Sequence, residues 1–327
     1  MDLSVVVCCY NSEKIVGDCL KALNNQSYPK EKYEVIVIDD GSTDGTSKIA
    51  REAGTRVIKN KVNMGLGYSR KLGINIARGD VIAFTDDDCI PDRDWIKELL
   101  AGYKKGIDGV GGMILPYSLD SIWEIYAYYS RTPLYSHSPY LGGRRIFEYL
   151  KRFLGFRLKA ENSQRMESLM GANSSFRRST LQSVEGTSKD LRRGVDWDLN
   201  LRLKEKDARL VYLEKPKVRH RHRQGATSFL RHISAYGEAY ARLSRKHGGL
   251  PIPYPTPLVL LLLAAAGYFS LVPLYAFAAF LFLREVPNCA AVFGKVGKLR
   301  IFALFPAIEV LRETVYDYGI LKGLLKG

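Results

Sequence analysis

The sequence predicts an α/β fold in which a mostly parallel, mixed sheet is flanked by helices, followed by helices that associate with a membrane. Two observations predict the sheet: apolar strand-like runs alternate with helix-like segments through residues 3–115, and polar clusters stand where three of these runs end. A third observation, the uncharged run from Thr256 to Leu283, predicts the membrane helices.

Strand-like and helix-like segments alternate through the first third of the chain. Leu3–Cys9 is an apolar run that only Ser4 interrupts, as in a strand that is buried on both faces. Because a helix separates each strand from the next, we expect the sheet to be parallel. The expected strands are 3–9, 34–38, 56–59, 81–85 and 109–115, and the expected helices are 14–23, 46–53, 67–77 and 91–103.

The alternation breaks over residues 117–165, which are rich in tyrosine and in basic residues. This insertion suits contact with a bilayer interface or a phosphorylated acceptor, and it equally suits an ordinary helical subdomain with tyrosines in its core. Regular elements are expected again after Met170. They are strands at 174–177, 209–213 and 217–220, and helices at 196–204 and 229–245.

The composition bounds the class of protein. With 327 residues, 46% of them hydrophobic and 25% charged, the chain can bury a sizeable core and is not a disordered protein. Its net charge of +15 suits nucleic acid, anionic lipid headgroups or phosphorylated small molecules as partners. Its five cysteines show no CxxC spacing, so we expect neither a disulfide framework nor a zinc site, and a reducing cytosolic surrounding. The N-terminal residues lack the pattern of a signal peptide.

The uncharged run at 256–283 is long enough for a helix to cross a bilayer. Gly267 and Pro273 offer an alternative, in which the run is broken into two shorter helices that form a hairpin or lie partly in the interface. Basic residues follow the run closely and are expected on the cytoplasmic side of a cell membrane. These residues are Arg284, Lys295, Lys298 and Arg300.

Three aspartates, Asp86, Asp87 and Asp88, follow the fourth expected strand. Clustered carboxylates repel one another, and a divalent cation relieves that repulsion. Mg²⁺ or Mn²⁺ commonly binds one or two carboxylates together with phosphate oxygens of a substrate. The alternating pair Asp86 and Asp88 therefore predicts a metal–diphosphate site. The alternative is a solvated acidic loop that caps the next helix.

A second acidic cluster, Asp39 to Asp44, follows the second expected strand. A dinucleotide site would need a glycine-rich loop after the first strand, and the residues there are Cys8 to Glu13 instead, so NAD binding is disfavoured. No P-loop is present, which disfavours kinase-type phosphate binding. Asp39 could instead accept hydrogen bonds from a nucleobase or ribose, while Tyr10 offers a face for the base.

Taken together, these segments resemble the inverting family 2 glycosyltransferases, whose nucleotide-binding half has the fold called GT-A. The resemblance covers about residues 1–225, and the order in which its motifs occur is specific. The family commonly has proline and threonine where Cys8 and Cys9 stand. The matching segments are Val7–Asn11, Val37–Asp44, Asn63-Met64-Gly65, Arg78-Gly79-Asp80 and Asp86-Asp87-Asp88.

The resemblance implies roles for individual residues. Asp86 and Asp88 would bind the metal, and Gly171-Ala172-Asn173 would line the donor sugar. The implied nucleotide-binding set is Cys9, Tyr10, Asn11, Glu13, Asp39, Arg70, Asp86 and Asp87. The implied set for donor or acceptor is Asn173, Trp197, His220, His222 and Arg223.

Val195–Leu199 resembles the family's Glu-Asp-x-Asp-Leu motif, with valine in place of the glutamate. The match makes Asp196 the catalytic base, which would deprotonate the acceptor hydroxyl. Taken without the resemblance, Asp196 would be interpreted as the N-cap of a helix.

The basic run Arg219–Gln224 occupies the place of a His-rich segment in the family. A Gln-x-x-Arg-Trp motif is missing there, which argues against a processive polymer synthase. If the strand continues through this run, His220 and His222 share one face and could touch the diphosphate or the metal. A solvated basic edge is the alternative.

The resemblance implies transfer of one sugar from a UDP- or GDP-type donor to a lipid-linked or membrane-proximal glycan acceptor, with Mg²⁺ or Mn²⁺ as cofactor. The catalytic domain is expected on the cytoplasmic face of the cell membrane, and no nucleic-acid partner is expected. A nucleotidyltransferase is one rival, but it needs a glycine-rich loop after the first strand. A non-enzymatic binder of anionic lipid or nucleic acid is the other rival, and it leaves the carboxylate clusters unexplained.

The sequence divides into four expected parts. Residues 1–116 are expected to bind the nucleotide, and residues 117–165 form the insertion. Residues 166–228 are expected to bind the acceptor, and residues 229–327 are expected to form amphipathic and transmembrane helices.

Overall fold

The computed structural model describes residues 1–129, 165–166, 168–222, 224–266 and 271–326. These residues belong to two units. The first comprises Met1–Tyr117 and Glu161–Arg221, and the second comprises Ser118–Ala160 and His222–Gly327. Most of the expected insertion at 117–165 lies outside the described residues.

A nine-stranded mixed sheet forms the centre of the first unit. Its strands are β1 (Leu3–Cys9), β2 (Tyr33–Asp39), β3 (Arg56–Lys59), β4 (Val81–Asp86), β5 (Cys89–Pro91), β6 (Gly109–Pro116), β7 (Arg165–Met166), β8 (Ser174–Arg177) and β9 (Leu210–His220). The strand order is β3-β2-β1-β4-β8-β6-β9-β5, and β7 pairs with β9. This mixed, helix-flanked sheet confirms the predicted fold class.

The parallel part of the sheet consists of β1 to β4. β1 pairs in parallel with both β2 and β4, and β2 pairs in parallel with β3. In this register Cys9 lies opposite Asp39, and Cys8 lies opposite Asp86. The carboxyl ends of β2 and β4 therefore flank the end of β1, which is where ligands bind in parallel sheets.

The other half of the sheet has mixed pairing. β8 runs antiparallel to β4 and β6, whereas β6 and β9 are parallel. The prediction of two strands at 209–213 and 217–220 is wrong, because β9 is a single strand. Its register with β6 shifts between Gly111 and Met113, so the polar, proline-containing middle of β9 is accommodated as an irregularity.

Helices lie on both faces of the sheet. In chain order the helices are α1 (Val16–Asn24), α2 (Thr46–Glu52), α3 (Leu66–Ile76), α4 (Trp95–Ala101), α5 (Ile122–Tyr129), α6 (Arg178–Ser183), α7 (Val195–Glu205), α8 (Ala226–Lys246), α9 (Pro255–Ala266), α10 (Val272–Val296) and α11 (Arg300–Leu325). Two short 3₁₀ turns cover Lys30–Lys32 and Gly171–Asn173. Helix α4 is shorter than the expected helix at 91–103, and Pro91 belongs instead to β5, which pairs with β9.

The two faces of β1 belong to two separate cores. Val5 and Val7 pack in one core with Leu20 of α1, and Val6 packs in the other core with Ile74 of α3. Successive side chains of a strand point to opposite faces, so both sets are apolar. This double burial explains why β1 is apolar on both faces apart from Ser4.

The described part of the second unit is helical. The Tyr126 ring of α5 lies edge-on to Phe229 of α8, with 5.7 Å between centroids, and to Phe305 of α11 at 5.2 Å. Among the described residues one helix, α10, has the length and apolar composition to cross a membrane. The expected uncharged run is thus divided between α9 and α10, with Pro273 at the start of α10. Gly267 lies outside the described residues.

The contact between α3 and β1 generates a stability prediction. A Cβ atom added to Gly73 would come within 2.4 Å of the Val6 Cγ1 atom. Replacing Gly73 with alanine should therefore lower the free energy of unfolding by about 1–3 kcal/mol, because the clash outweighs the better helix propensity of alanine. Thermal unfolding followed by circular dichroism would show this as a lower midpoint temperature.

Gly17 of α1 provides the matched control, since its added Cβ would meet only Ile49 Cγ2 at 3.7 Å. Gly17→Ala should keep or raise the midpoint temperature, because alanine is the better helix former and no clash opposes it. Equal midpoints for Gly73→Ala and the unmodified protein would contradict the close approach of α3 to β1.

Candidate active site

The loop that follows β1 is fastened to the loop that follows β2. Asn11 has a φ of 51°, a conformation that asparagine tolerates. Its backbone N–H donates to Ser42 Oγ (2.9 Å), and its side-chain oxygen accepts from the Thr43 N–H (2.9 Å). Tyr10 is 49% exposed and presents its ring at the same sheet edge. The edge thus combines a fixed backbone with an exposed aromatic face.

Two further residues of the predicted nucleotide set support this loop. Glu13 accepts a hydrogen bond from the Gly45 N–H (2.8 Å), and its own N–H donates to Asp44 Oδ2 (3.2 Å). Cys9 is 2% exposed, and burial raises the pKa of its thiol, so it stays protonated and packs in the core. The nucleotide contacts expected of both residues stay predictions.

Asp39 is fully buried at the end of β2. Its carboxylate accepts from the Ser42 N–H (2.8 Å) and from the Ser47 hydroxyl, and Lys59 Nζ lies 3.8 Å away. Burial alone would raise the pKa of Asp39, but these hydrogen bonds and the Lys59 charge lower it. The ionised carboxylate therefore braces the loop after β2, and its contact with a nucleobase stays a prediction.

Asp40 lies at this edge as well, although no local pattern in the sequence predicts a role for it. It is 5% exposed, and its carboxylate accepts from the backbone N–H groups of Met64 (2.9 Å) and Gly65 (2.8 Å). Asn60 Nδ2 donates to it as well, at 2.8 Å. Asp40 thus holds the turn that begins α3. These partners lie 20 or more positions away in the chain, so no local pattern signals the role.

Arg70 on α3 joins the end of β4 to the predicted base. Its Nη2 atom lies 3.1 Å from Asp86 Oδ1, and its Nη1 atom bonds Asp196 Oδ1. The guanidinium carbon lies 5.4 Å from the centroid of the Phe84 ring, and the residue is 4% exposed. Burial alone would lower the pKa of Arg70, but Asp196 and Asp86 outweigh burial and raise it. A permanently charged guanidinium therefore holds two distant carboxylates in one site. The predicted contact of Arg70 with the nucleotide stays a prediction.

The three aspartates after β4 are not equivalent. Burial raises the pKa of Asp86, and the charge of Arg70 offsets part of that rise. Burial and the charge of Asp88 raise the pKa of Asp87 to about 7, although Ser12 donates a hydrogen bond to it. Burial and mutual repulsion therefore disfavour the ionised carboxylates of this cluster. A bound cation would stabilise them by offsetting their negative charge.

A candidate cation site lies where β5 meets the end of β9. Ligand atoms of Asp86, Asp88, Cys89 and His220 all lie within 4.8 Å of one another. The antiparallel pairing of β5 with β9 sets Cys89 opposite His220, and His220 Nε2 lies 3.2 Å from Asp88 Oδ1. Burial raises the pKa of the Cys89 thiol, so the ready ligands are two carboxylates and one imidazole. This oxygen-rich set fits Mg²⁺ or Mn²⁺.

Asp196 lies in the first turn of α7, and its side chain is 24% exposed. The N-cap of that helix is Gly194, so Asp196 is not the cap. Its backbone carbonyl accepts from Asn200 Nδ2 at 2.7 Å. A Cβ atom on Gly171 would come within 2.4 Å of both Asp196 Oδ1 and Arg70 Nη2. The carboxylate is therefore held between a glycine backbone and Arg70 while it stays partly exposed.

Two residues expected to contact donor or acceptor are buried. The Asn173 amide donates to Met113 O (2.9 Å) and Pro216 O (3.0 Å), and its oxygen accepts from Trp95 Nε1 (2.8 Å). Trp197 is 5% exposed. In the described structure Asn173 thus ties β6 and β9 to α4, and the ligand contacts expected of both residues stay predictions.

The basic run after β9 does not continue the strand. β9 ends at His220, so the strand face that His220 and His222 were expected to share is not formed. His222 belongs to the second unit, where its ring lies 6.2 Å from that of Tyr128. Arg221, to which no role was assigned, pairs with Asp18 and lies 4.4 Å from the centroid of the Tyr117 ring. Arg223 lies outside the described residues.

The chemistry of this edge follows from three features: an exposed aromatic ring, a cation site rich in oxygen ligands, and a partly exposed carboxylate joined to that site through Arg70. A cation held by carboxylates can bind a diphosphate, and a fixed carboxylate can take a proton from a hydroxyl group. The three features lie within one unit of the protein.

The glycosyl transferase family 2 profile matches residues 4–184. The glycosyltransferase AglE of Haloferax volcanii is 36% identical over 118 residues, a match that covers 34% of this chain and only 39% of that relative. A Methanococcus voltae protein is 25% identical over 351 residues, covering 99% of this chain and 98% of the relative. Its name is dolichyl N-acetyl-alpha-D-glucosaminyl phosphate 3-beta-D-2,3-diacetamido-2,3-dideoxy-beta-D-glucuronosyltransferase.

Solved structures share the fold. A mannosyltransferase from Pyrobaculum calidifontis, in complex with GDP-Man and Mn²⁺, superposes with a TM-score of 0.61 at 18% identity, covering 98% of this chain and 86% of the other. Glucosyl-3-phosphoglycerate synthase from Mycobacterium tuberculosis, in complex with Mn²⁺, UDP-glucose and phosphoglyceric acid, gives a TM-score of 0.51 at 20% identity, covering 77% and 81% of the two chains. These likenesses confirm the GT-A fold.

The cation site generates a binding prediction. Replacing Asp88 with asparagine should weaken Mn²⁺ binding about 10- to 100-fold, because one of the charged oxygen ligands is lost. Titration of Mn²⁺ into the purified protein, with the free ion followed by electron paramagnetic resonance, would measure this change.

Asp80 offers the matched control, because it precedes β4 at the opposite end of the strand and its side chain is 87% exposed. Asp80→Asn should leave Mn²⁺ affinity unchanged. Equal affinity of the Asp88→Asn, Asp80→Asn and unmodified proteins would place the cation elsewhere.

Proposed function

The chain belongs to glycosyl transferase family 2 and is a glycosyltransferase, and we propose that it moves one sugar from a nucleoside-diphosphate sugar to a lipid-linked or membrane-proximal acceptor. The proposal includes inversion of the anomeric centre, a divalent cation at Asp86 and Asp88, and Asp196 as the base. One observation carries it. Arg70 contacts both Asp86 and Asp196, so the cation ligands and the base candidate lie in one site.

The donor's nucleotide fits the edge formed by the ends of β1, β2 and β4. Ligands of parallel sheets bind outside the carboxyl ends of the strands, and here the exposed Tyr10 ring stands over hydrogen-bonded loops. Loops that are already ordered lose less conformational entropy when a ligand binds, so the cost of binding is lower. The two structural relatives were crystallised with GDP-Man and with UDP-glucose, which supports a nucleoside-diphosphate sugar as the class of donor.

The carboxylates of Asp86 and Asp88, with His220 beside them, would hold Mg²⁺ or Mn²⁺. When bound, such an ion offsets the negative charge that grows on the departing diphosphate. The protein's own part is to keep these ligands in place. Arg70 holds Asp86, and the β5–β9 pairing brings His220 to Asp88.

Asp196 is proposed to take the proton of the acceptor hydroxyl. An inverting transfer needs one carboxylate for this step, and the carboxylate must be both fixed and reachable. Val195 stands where the resembling motif has glutamate, and its side chain is buried. Arg70 supplies the orientation instead, because it bonds one oxygen of Asp196. Asp198 is not a rival base, since it is fully buried and bonded to Ser188 and Arg202.

A lipid-linked acceptor is supported by the relative and by the second unit. The Methanococcus voltae protein, which matches nearly the whole chain, is named for transfer to a dolichyl-phosphate-linked sugar. The apolar helix α10 has the length to cross a membrane. An acceptor with a long lipid chain resides in a bilayer, so an enzyme that uses it has to bind at the membrane. An apolar helix that inserts into the bilayer would hold the enzyme there.

A donor and acceptor panel tests the function. Purified protein in detergent is incubated with UDP- and GDP-sugars, Mn²⁺, and a lipid extract that contains dolichyl-phosphate-linked sugars. We expect release of UDP or GDP to require both the metal and the lipid fraction, and mass spectrometry should detect a lipid one sugar larger. A protein that binds no nucleotide sugar and releases no nucleotide would overturn the proposal.

The base assignment generates a kinetic prediction. Asp196→Asn should bind the nucleotide sugar normally but transfer sugar about 10²–10⁴ times more slowly, because the amide takes no proton from the acceptor. Calorimetry with the donor and a radiolabelled transfer assay would separate the two effects.

Asp190→Asn serves as control, because Asp190 is an exposed carboxylate shortly before α7. This control should retain both binding and turnover. Full turnover by Asp196→Asn would show that another group takes the proton.

A further inference from the structure

Helix α11 of the second unit has three charged residues at the middle of its buried face, and its exposed positions between 301 and 325 carry no charge. Glu309, Arg312 and Glu313 are 4%, 1% and 3% exposed. A helix on the surface of a water-soluble protein shows the opposite arrangement, with charged residues on its outer face. The exposed positions between 301 and 325 are Ala303, Leu304, Ala307, Leu311, Thr314, Tyr318, Leu321, Leu324 and Leu325.

Helix α10 is inverted in the same way. Its midpoint residues Arg284 and Glu285 are 7% and 2% exposed, whereas Val272, Tyr275 and Leu283 are 72%, 67% and 66% exposed. Between Val272 and Gly294 its exposed residues carry no charge. The outward face of α10 is therefore apolar over most of its length, although charged residues lie at its centre.

Helix α8 of the same unit shows that the inversion is not general. Its exposed positions include Arg231, Arg242 and Arg245, and its buried positions include Ile233 and Leu243. This is the ordinary arrangement of a helix with one face in water. One helix of the second unit thus faces water, while α10 and α11 present apolar surfaces.

The buried charges of α10 and α11 are paired with one another. Arg312 Nη2 lies 2.7 Å from Glu309 Oε1, and Arg284 Nη2 lies 3.6 Å from Glu313 Oε1. Arg312 also donates to the hydroxyl group of Tyr254 at 3.1 Å. In membrane proteins, charged side chains point into the helix bundle and pair there, because unpaired charges are costly in an apolar medium.

We propose that the outward faces of α10 and α11 contact the acyl chains of a bilayer, and that the Arg–Glu pairs form the interior of a membrane-embedded helix bundle. The inference rests on the membrane part of the proposed function and is independent of its catalytic part. It extends the embedded surface from the uncharged run at 256–283 to α11. Average hydropathy does not select α11, because Glu309, Arg312 and Glu313 lower the mean while they point inward.

The length of the two helices and the basic residues between them favour lipid as the partner of the outward faces of α10 and α11. The two helices contain 25 and 26 residues, so each is long enough to match the apolar thickness of a bilayer. Lys295, Lys298 and Arg300 stand at the junction between them, where they suit phosphate headgroups. A second copy of the chain is the alternative occupant, and the experiment below separates the two.

Nitroxide labels on single added cysteines test the proposal. Leu304→Cys, Leu311→Cys and Tyr318→Cys place labels on the outward face of α11, and Thr227→Cys places one on the exposed start of α8. Unmodified protein, taken through the same labelling, gives the background from Cys8 and the four buried cysteines. Each protein is reconstituted in phosphatidylcholine–phosphatidylglycerol vesicles, and relaxation by O₂ and by a water-soluble nickel chelate is measured.

We expect the three α11 labels to respond at least threefold more to O₂, relative to the nickel chelate, than the Thr227 label. Nickel accessibility equal to that at Thr227 would overturn the proposal. Labels shielded from both reagents, with dipolar broadening between copies, would also overturn it and would assign the surface to a second copy of the chain.

A charge substitution provides a second test that needs no label. Leu311→Lys should reduce cosedimentation with the same vesicles several-fold, whereas Thr227→Lys should not. Nucleotide-sugar binding by both variants in detergent would show that the first unit is folded. Loss of vesicle binding with intact donor binding supports the inference, and unchanged vesicle binding by Leu311→Lys counts against it. The labels report lipid contact even if no sugar is transferred, so failure of the catalytic proposal would be seen separately.

Discussion

The guanidinium group of Arg70 is buried between two carboxylates that come from distant parts of the chain, Asp86 at the end of β4 and Asp196 in the first turn of α7. A charge this deeply buried is stable only while it is paired, so removal of either partner would leave the other groups uncompensated. The pair also constrains its surroundings. Gly171 must lack a side chain for both contacts to form. The position of the predicted base thus depends on the same residue that orients a predicted metal ligand.

The topology of the sheet brings the other predicted site residues to the edge at which β4 ends. β1 lies between β2 and β4, so the loops that carry Tyr10, Asp39 and Asp86 end side by side. The short strand β5 turns back from the aspartate cluster and pairs with β9, which brings His220 to Asp88. The parallel strands β1, β2 and β4 and the antiparallel pairing of β5 with β9 therefore bring the predicted nucleotide-binding and cation-binding residues to one edge of the mixed sheet.

The sequence predicted those parts of the structure that local patterns encode. The alternation of β1 to β4 with helices, and the aspartates at the strand ends, were predicted because apolar periodicity and strand termini are local signals. The Arg70–Asp196 contact spans 126 positions and the Asp40–Gly65 contact spans 25, so neither leaves a local pattern. The prediction that His220 and His222 share a strand face was wrong, because β9 ends at His220. The hydrogen-bonded pairing of β9 with its neighbouring strands, and not its composition, decides where it ends. Helix α11 falls within the range 229–327 that was expected to form amphipathic and transmembrane helices, but its inward-facing charges were not predicted, since mean hydropathy averages over faces that the fold separates.

The two units differ in how their clustered charges are balanced. We use this difference to separate a candidate binding site from a structural network of ion pairs. In the second unit, two arginines and three glutamates lie together, and the pairs are completed by tyrosine hydroxyls. In the first unit, Asp86 and Asp196 share the single arginine Arg70, and Asp87 and Asp88 follow Asp86 directly in the chain. A cluster that is nearly balanced by its own residues needs no ligand to be stable, whereas an excess of carboxylates is stabilised by a cation from solution. The cluster with an excess of carboxylates is therefore the better candidate for a cation site.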